Sequence, residues 1–259
     1  MKVVIFAGGL GTRISEETDM RPKPMVEIGG RPILWHIMKI YSHFGFNDFV
    51  LCLGYKGYVI KEYFMNYFLH NSDVTIDVAN NSMEVLGSKT EAFKVTLVDT
   101  GLNTKTAGRL KLVEKHVGNE DFMLTYGDGL ANIDLNTLLK FHKSHGKTAT
   151  VTAVRMDARF GGMELNESCA VNSFKEKTKD DSKWINGGFF VLKPQVFNHL
   201  KGDMTEVMWE DEPLEKLSKD GELQAYKHNG FWKCMDALRD KIELEKLWES
   251  GQSKWKLWE

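Results

Sequence analysis

The chain has 259 residues, 42% of them hydrophobic, enough to bury one sizeable core and near the upper limit for one compact domain. A formal net charge of -2 gives no overall attraction to nucleic acid or to an anionic membrane, so any anion must be met by local charges. Three cysteines, Cys52, Cys169 and Cys234, are odd in number and far apart, which argues against a disulfide framework or a C-x-x-C metal site and fits a reducing cytoplasm.

The apolar run Val3-Val4-Ile5 predicts a buried strand that leads directly into Phe6-Ala7-Gly8-Gly9-Leu10-Gly11-Thr12-Arg13. Glycines lack a Cβ and accept φ > 0, so such a loop can close its backbone N–H groups on phosphate oxygens. Arg13 adds a permanent charge with a planar fork of donors. Lys23, between Pro22 and Pro24, adds a second cation on a stiffened segment. Together they read as a seat for a polyphosphate, with an ordinary strand-to-helix turn carrying a surface arginine as the alternative. The loop meets neither the G-x-G-x-x-G spacing nor a following G-K-[ST], so neither the dinucleotide fingerprint nor the P-loop applies.

Pro32 then opens a helix whose buried face is Leu34, Ile37, Met38 and Tyr41, ending near Gly45. Phe49 to Leu53 is a continuous apolar run, as expected of a strand covered on both faces, and strand, helix, strand implies a parallel crossover. Val59 to Phe68 and Leu110 to His116 read as helices, and Val74 to Val78 and Val95 to Val98 as strands. Phe122 to Tyr126 is a further buried strand that stops at Gly127-Asp128-Gly129. Ligands of open α/β sheets collect beyond the carboxyl ends of strands, so Asp128 and the glycine loop are expected to face one crevice.

Leu135 to His145 reads as a helix and Ala149 to Val154 as a strand, while Arg159 to Lys179 alternates short extended pieces with turns, an added β region. Asn186 to Leu192 reads as a strand whose glycines admit a close neighbour, Leu223 to Tyr226 as a short strand, and Leu238 to Trp248 as a helix before a Trp-bearing tail. No charged leader precedes a long apolar segment and no later run suits a membrane span, so neither export nor a membrane partner is expected. Without repeats or linkers, residues 1–259 form one domain, with a β insertion at about 155–185 and a C-terminal helix and tail at about 238–259.

Asp128, between glycines at a strand end, suits a metal held jointly with phosphates, because Mg²⁺ takes one or two protein carboxylates plus substrate oxygens; a turn role is the alternative. Asp236 precedes a helix, where N-capping is the simpler explanation. In Phe174-Lys175-Glu176-Lys177, an acid beside a lysine can bind a sugar hydroxyl and a phosphate, or form a solvated charged strand. Arg109 follows Gly108 at an expected helix start, a favourable place for anions, or is a surface arginine. The histidines show no zinc spacing, and no G-x-S-x-G elbow supports covalent catalysis.

The opening KVVIFAGGLGTRISEETDMRPKPMVEIGGRPILWHIM resembles the sugar-1-phosphate nucleotidyltransferases. With GYKGYVIKEYF, VTLVDTG, GRLK, TYGDG, RFG, FKEK, INGGFFVL, GFW-x-x-MD and LWE-x-G, the chain is similar to the glucose-1-phosphate cytidylyltransferases among them, over nearly its whole length. The resemblance implies a Rossmann-like, GT-A-like three-layer α/β fold with a mixed central sheet and a sugar-binding β insertion. It implies that CTP and glucose 1-phosphate become CDP-glucose and diphosphate, with Mg²⁺ as cofactor, in a cytoplasmic homo-oligomer, a hexamer, that supplies dideoxy sugars for surface polysaccharide. Residue by residue, Phe6 to Arg13 would hold the nucleotide, with Gly8, Gly9 and Leu10 near the base and Gly11, Thr12 and Arg13 near the phosphates. Lys23 would bind phosphate, Thr104 and Arg109 would contact the nucleotide, and Asp128 with Asp236 would hold Mg²⁺. Glu176 and Lys177 match positions facing the sugar phosphate, and Asn186 to Gly188 a segment beside the sugar. Thr178 stands where the family commonly has proline, Met156-Asp157-Ala158 where proline is frequent, and Ala107 where glycine is common. These departures bear on sugar specificity and leave the transfer chemistry intact.

Overall fold

Alternation along the strands decides the layering. In the computed structural model, which describes residues 1–88, 90–155, 162–165, 171–175 and 184–259, Val3, Ile5, Phe49, Leu51 and Met123 face one core, and Val4, Phe6, Val50, Cys52, Phe122 and Leu124 face another. The first core is closed by the helices Ile33–His43 and Leu135–His145, the second by Thr106–Leu112, the 3-10 segment Pro194–His199 and Glu212–Lys219. A sheet buried on both faces leaves no position for a polar stripe, hence the uninterrupted apolar runs. Each such side chain contributes about 1.5–3 kcal/mol on burial.

Among the described residues eight strands form this sheet: β1 Lys2–Ala7, β2 Asp48–Leu53, β3 Lys94–Asp99, β4 Phe122–Tyr126, β5 Ala149–Arg155, β6 Trp184–Asn186, β7 Phe190–Leu192 and β8 Leu223–His228. β4, β1, β2 and β3 lie side by side in parallel. β7 pairs antiparallel with both β4 and β5, β6 continues antiparallel along β5, and β8 runs parallel to β5. The sheet is therefore mixed, with one reversed segment split into β6 and β7, and the carboxyl ends of β1, β2, β3 and β4 share one rim.

The reversed strand is broken where the sequence predicts continuity from Asn186 to Leu192. Gly188 and Phe189 have φ of 73° and 45°, and Gly187 N–H donates to Thr152 O at 2.8 Å while Thr152 N–H donates to Gly188 O at 3.2 Å, a local bulge. The neighbours admitted by the glycines are Val154 and Tyr126, whose atoms a Cβ at Gly187 or Gly188 would meet at 2.7 and 3.0 Å.

The helix predicted over Val59 to Phe68 divides into Gly57–Met65 and Tyr67–Asn71. Asn66 turns its side-chain amide back onto Glu62 O at 2.9 Å, the local competition with helix that asparagine favours. Leu110 to His116 likewise becomes Thr106–Leu112 and Glu114–Val117. Leu135–His145 matches its predicted bounds because both ends are signalled: Asp134 accepts from Thr137 N–H at 2.9 Å, and Gly146 closes the helix at φ 69°. The strand at Val74 lies in a separate hairpin, Ser72–Asp77 with Ser82–Ser88. In the predicted β region, Gly162–Leu165 pairs antiparallel with Val171–Lys175; Met156 to Gly161, Cys169, Glu176, Lys177 and Thr178 lie outside the described residues. Among the described residues no helix is long and apolar enough to cross a membrane.

Candidate active site

At the rim a cleft of about 400 Å³ opens, lined by the loop residues Phe6, Gly8, Gly9, Gly11, Thr12 and Arg13, by Lys23, Asp128 and Asp236, and by Thr104, Lys105, Thr106, Tyr126 and Met208. Of the predicted loop, Ala7 stays buried at the end of β1 and Leu10 turns to solvent, half exposed. Gly11 takes φ 67°, and its carbonyl accepts from Ile14 N–H at 3.0 Å and from the Thr18 hydroxyl at 3.1 Å. A Cβ at Gly11 would lie 2.7 Å from Thr18 Cγ2, so glycine is needed there twice, for conformation and for space.

Asp128 leaves the end of β4, and Asp236 comes from a part of the chain more than a hundred residues later. A two-strand pair joins them: Gly129–Ala131 runs antiparallel to Trp232–Cys234, and Met235 N–H donates to Asp128 O at 2.9 Å. Asp236 does not cap the following helix, contrary to the simpler expectation for it. Asp240 does that, accepting from the N–H of Asp236 at 3.1 Å and of Ala237 at 2.9 Å. The Asp236 carboxylate is left facing the cleft.

Lys23 meets both acids. Its ammonium donates to Asp128 Oδ2 at 2.6 Å and to Asp236 Oδ1 at 2.9 Å, while Arg13 lies 3.4 Å from Asp236 Oδ2. Burial disfavours the Lys23 ammonium, but the charges and hydrogen bonds of the two acids outweigh it and hold its pKa above the ordinary lysine value. Burial likewise acts to raise Asp236, and Lys23 followed by Arg13 overcomes it, holding the carboxyl below its usual range. Among the described residues no three His, Cys, Asp or Glu gather into a cage. The hard oxygen donors Asp128 and Asp236, converging on one cationic point, are a pair that fits Mg²⁺ completed by substrate oxygens.

Arg109 lines the cleft too, but it is the fourth residue of Thr106–Leu112 rather than at its start, and it is 4% exposed. Its guanidinium donates to Leu53 O (3.0 Å), Thr100 Oγ1 (2.7 Å), Gly101 O (2.9 Å), Gly8 O (2.9 Å) and Leu102 O (3.2 Å). It thus ties together the ends of β1, β2 and β3. A Cβ at Gly8 would sit 2.2 Å from its Nη1, and one at Gly54 2.6 Å away, so these two glycines make room for the guanidinium.

The segment beside Asn186 reaches the cleft through Tyr126. Asn186 Nδ2 donates to the Tyr126 hydroxyl at 3.0 Å and its Oδ1 accepts from Gly188 N–H at 2.9 Å. Burial first, then the neighbouring Glu210 carboxylate, pushes the Tyr126 phenol up, so it stays protonated. Sequence reasoning did not find Tyr126, Thr106, Met208 or Glu210. Thr106 is fixed by Glu210 Oε2 at 2.8 Å and by Trp209 N–H at 2.7 Å, contacts across a hundred residues that no local pattern announces.

The nucleotidyl transferase family model matches residues 2–246. A glucose-1-phosphate cytidylyltransferase of Salmonella typhi is 57% identical over 260 residues, covering 100% of both chains. A mannose-1-phosphate guanyltransferase of Aspergillus oryzae is 30% identical over 247 residues, 93% of this chain and 62% of its own. The solved structure of UDP-glucose pyrophosphorylase with UDP-glucose is similar in fold, with a TM-score of 0.69 and 17% identity over 96% of this chain and 98% of that one.

Proposed function

This chain belongs to the nucleotidyl transferase family, and we propose that it joins CTP and α-D-glucose 1-phosphate into CDP-glucose and diphosphate. The observation that carries the reading is the meeting of Arg13, Lys23, Asp128 and Asp236 beside the glycine loop at one strand-end rim. The choice of CTP and glucose 1-phosphate is supported by the 57% identical relative of that name.

A phosphate oxygen of the sugar phosphate attacks the α-phosphorus of CTP in line, and diphosphate leaves. The nucleophile is already anionic near neutral pH, so the chain needs no general base; it positions two anions and offsets their charge. The N–H groups of Gly8 to Thr12 follow the nucleotide, Arg13 and Lys23 meet its phosphates, and Thr104 borders it. Arg109 fixes the loop through Gly8 O as well as bordering the nucleotide. Asn186 and Gly188 border the sugar, with Glu176 and Lys177 assigned to its hydroxyl and phosphate. Asp128 and Asp236 would hold Mg²⁺, which would supply charge stabilisation at the triphosphate. The reading extends to a cytoplasmic homo-oligomer, a hexamer, supplying dideoxy sugars for surface polysaccharide; Ile76 and Met83, opposed on the hairpin and exposed, are apolar groups available to a second copy.

The purified chain is incubated with glucose 1-phosphate and, in turn, CTP, UTP, dTTP and GTP, and diphosphate is measured. Release with CTP at least about tenfold faster than with the others is expected. Release with none, or preference for another nucleotide, overturns the assignment.

A further inference from the structure

Asp128 and Asp236 converge on one cation, and that cation belongs to the chain itself. The Lys23 side chain is 15% exposed, less than Asp128 at 26% or Asp236 at 41%, so it is more enclosed than the carboxylates it joins. Its backbone is fixed: Lys23 opens a 3-10 turn flanked by Pro22 and Pro24, with Val26 N–H donating to Lys23 O at 3.1 Å. A Cβ at Gly11 would lie 3.2 Å from Lys23 Cβ, so the glycine loop packs on the base of the side chain. Beyond Cβ the side chain is a flexible stem ending in a compact charge with three donors, which can be re-aimed without moving the turn.

We propose that Lys23 is an exchangeable counter-ion, which closes the Asp128–Asp236 pair to a divalent metal until a nucleoside triphosphate draws the ammonium away, so that metal and nucleotide bind cooperatively. This rests on the reading of the two aspartates as the metal-holding pair. A divalent ion and the ammonium require the same oxygens. To admit the metal alone, the chain must break both charge-assisted hydrogen bonds and leave an ammonium beside a dication. A triphosphate offers the ammonium new anionic acceptors and gives the metal further oxygens, which removes both penalties. The coupling is reciprocal, so the nucleotide tightens the metal by the factor with which the metal tightens the nucleotide.

The test is manganese(II) binding to the full chain, followed by its electron paramagnetic signal with and without CTP. In wild type, CTP should tighten manganese roughly 100-fold, the scale of two charge-assisted hydrogen bonds. Lys23→Met should bind manganese roughly 100-fold more tightly than wild type with no nucleotide present, and its further gain from CTP, limited to the oxygens the triphosphate lends the metal, should be smaller than in wild type. Lys23→Arg keeps a cation at the site and should remain weak, and Lys23→Met with Asp236→Asn should lose the gain. A folded Lys23→Met that binds manganese no better than wild type overturns the proposal. So does a wild type that turns over CTP yet binds manganese equally with and without it, and this arm decides alone if the variant does not fold. Should wild type release diphosphate from no nucleotide while Lys23→Met still gains manganese, the function assigned above falls and the exchange stands.

Discussion

Two shielded cations flank the cleft, and their partners differ in kind. Arg109 is surrounded by four backbone carbonyls and a hydroxyl, all neutral and all at strand ends. Lys23 is surrounded by carboxylates. A planar guanidinium spread over five fixed oxygens has no second arrangement of equal quality, whereas an ammonium held by two acids can leave for another anion. On the function proposed above, the first wall would serve as scaffold and the second as machinery. Substitutions at the two cations should separate stability from turnover.

The largest effect is expected on the Lys23 side. Lys23→Ala and Asp128→Ala should each lower kcat/KM by about 100-fold or more, the usual loss when a preorganised charge contact is removed. Thermal unfolding should stay within a few degrees of wild type, since the cleft lets water reach the partly exposed carboxylates when a partner is removed. Turnover near wild type in both variants would show that this wall is not the machinery.

Arg109→Ala should act in the opposite sense. It strips five charge-assisted hydrogen bonds from the strand ends, although Gly8 O keeps Tyr55 N–H and Leu53 O keeps Thr100 N–H, a loss of about 3 kcal/mol in stability, or roughly 6–10 °C in Tm for a chain of this size. Arg109→Lys should recover little, because three donors on a point charge cannot span the ends of three strands. The informative readout is the KM for CTP in the fraction that remains folded. A rise is expected as the Gly8 loop loosens, and an unchanged Tm would remove the scaffold role.

The two walls were also unequally legible in the sequence. Val3 to Ile5 and Phe49 to Leu53 are apolar without interruption and Phe122 to Tyr126 is interrupted only by Thr125, so the strands, their burial on both faces and the rim at which they stop follow from residue type alone. Asp128 could be placed because it ends such a strand. Asp236 could not, except through resemblance, because its placement beside Asp128 is set by two three-residue strands too short to carry a period. The far wall is held by Lys105 N–H to Thr205 O at 2.7 Å and Ala107 N–H to Val207 O at 3.1 Å, backbone pairings indifferent to side-chain identity. For Arg109 a signal existed and went unread: Gly8 and Gly54 follow the ends of adjacent strands, and both lack a Cβ where the guanidinium passes.

A smaller prediction asks whether shielding tolerates a cation only where enough oxygens meet it. His36 is fully buried, donates Nε2–H to Ile28 O at 2.8 Å, and receives the Trp255 indole N–H on Nδ1 at 3.4 Å. Burial lowers its pKa to about 4, and a proton added at Nδ1 would face the indole donor. A histidine depressed in the folded state contributes its full stability above the unfolded value near 6.5 and loses it as pH falls through about 4. At pH 5 the loss relative to pH 7.5 should be about 2 kcal/mol from this residue. His142, also lowered to about 4 by burial, acts in the same direction. Gln at position 36 keeps a donor for Ile28 O and an acceptor for the indole without titrating. His145 and His228, both lowered by burial, add to the same acid sensitivity, so His36→Gln should reduce, without abolishing, the difference between urea midpoints at pH 7.5 and pH 5. A variant as acid-sensitive as wild type would mean that His36 takes up its proton inside the fold, and the rule drawn from Arg109 and Lys23 would not extend to it.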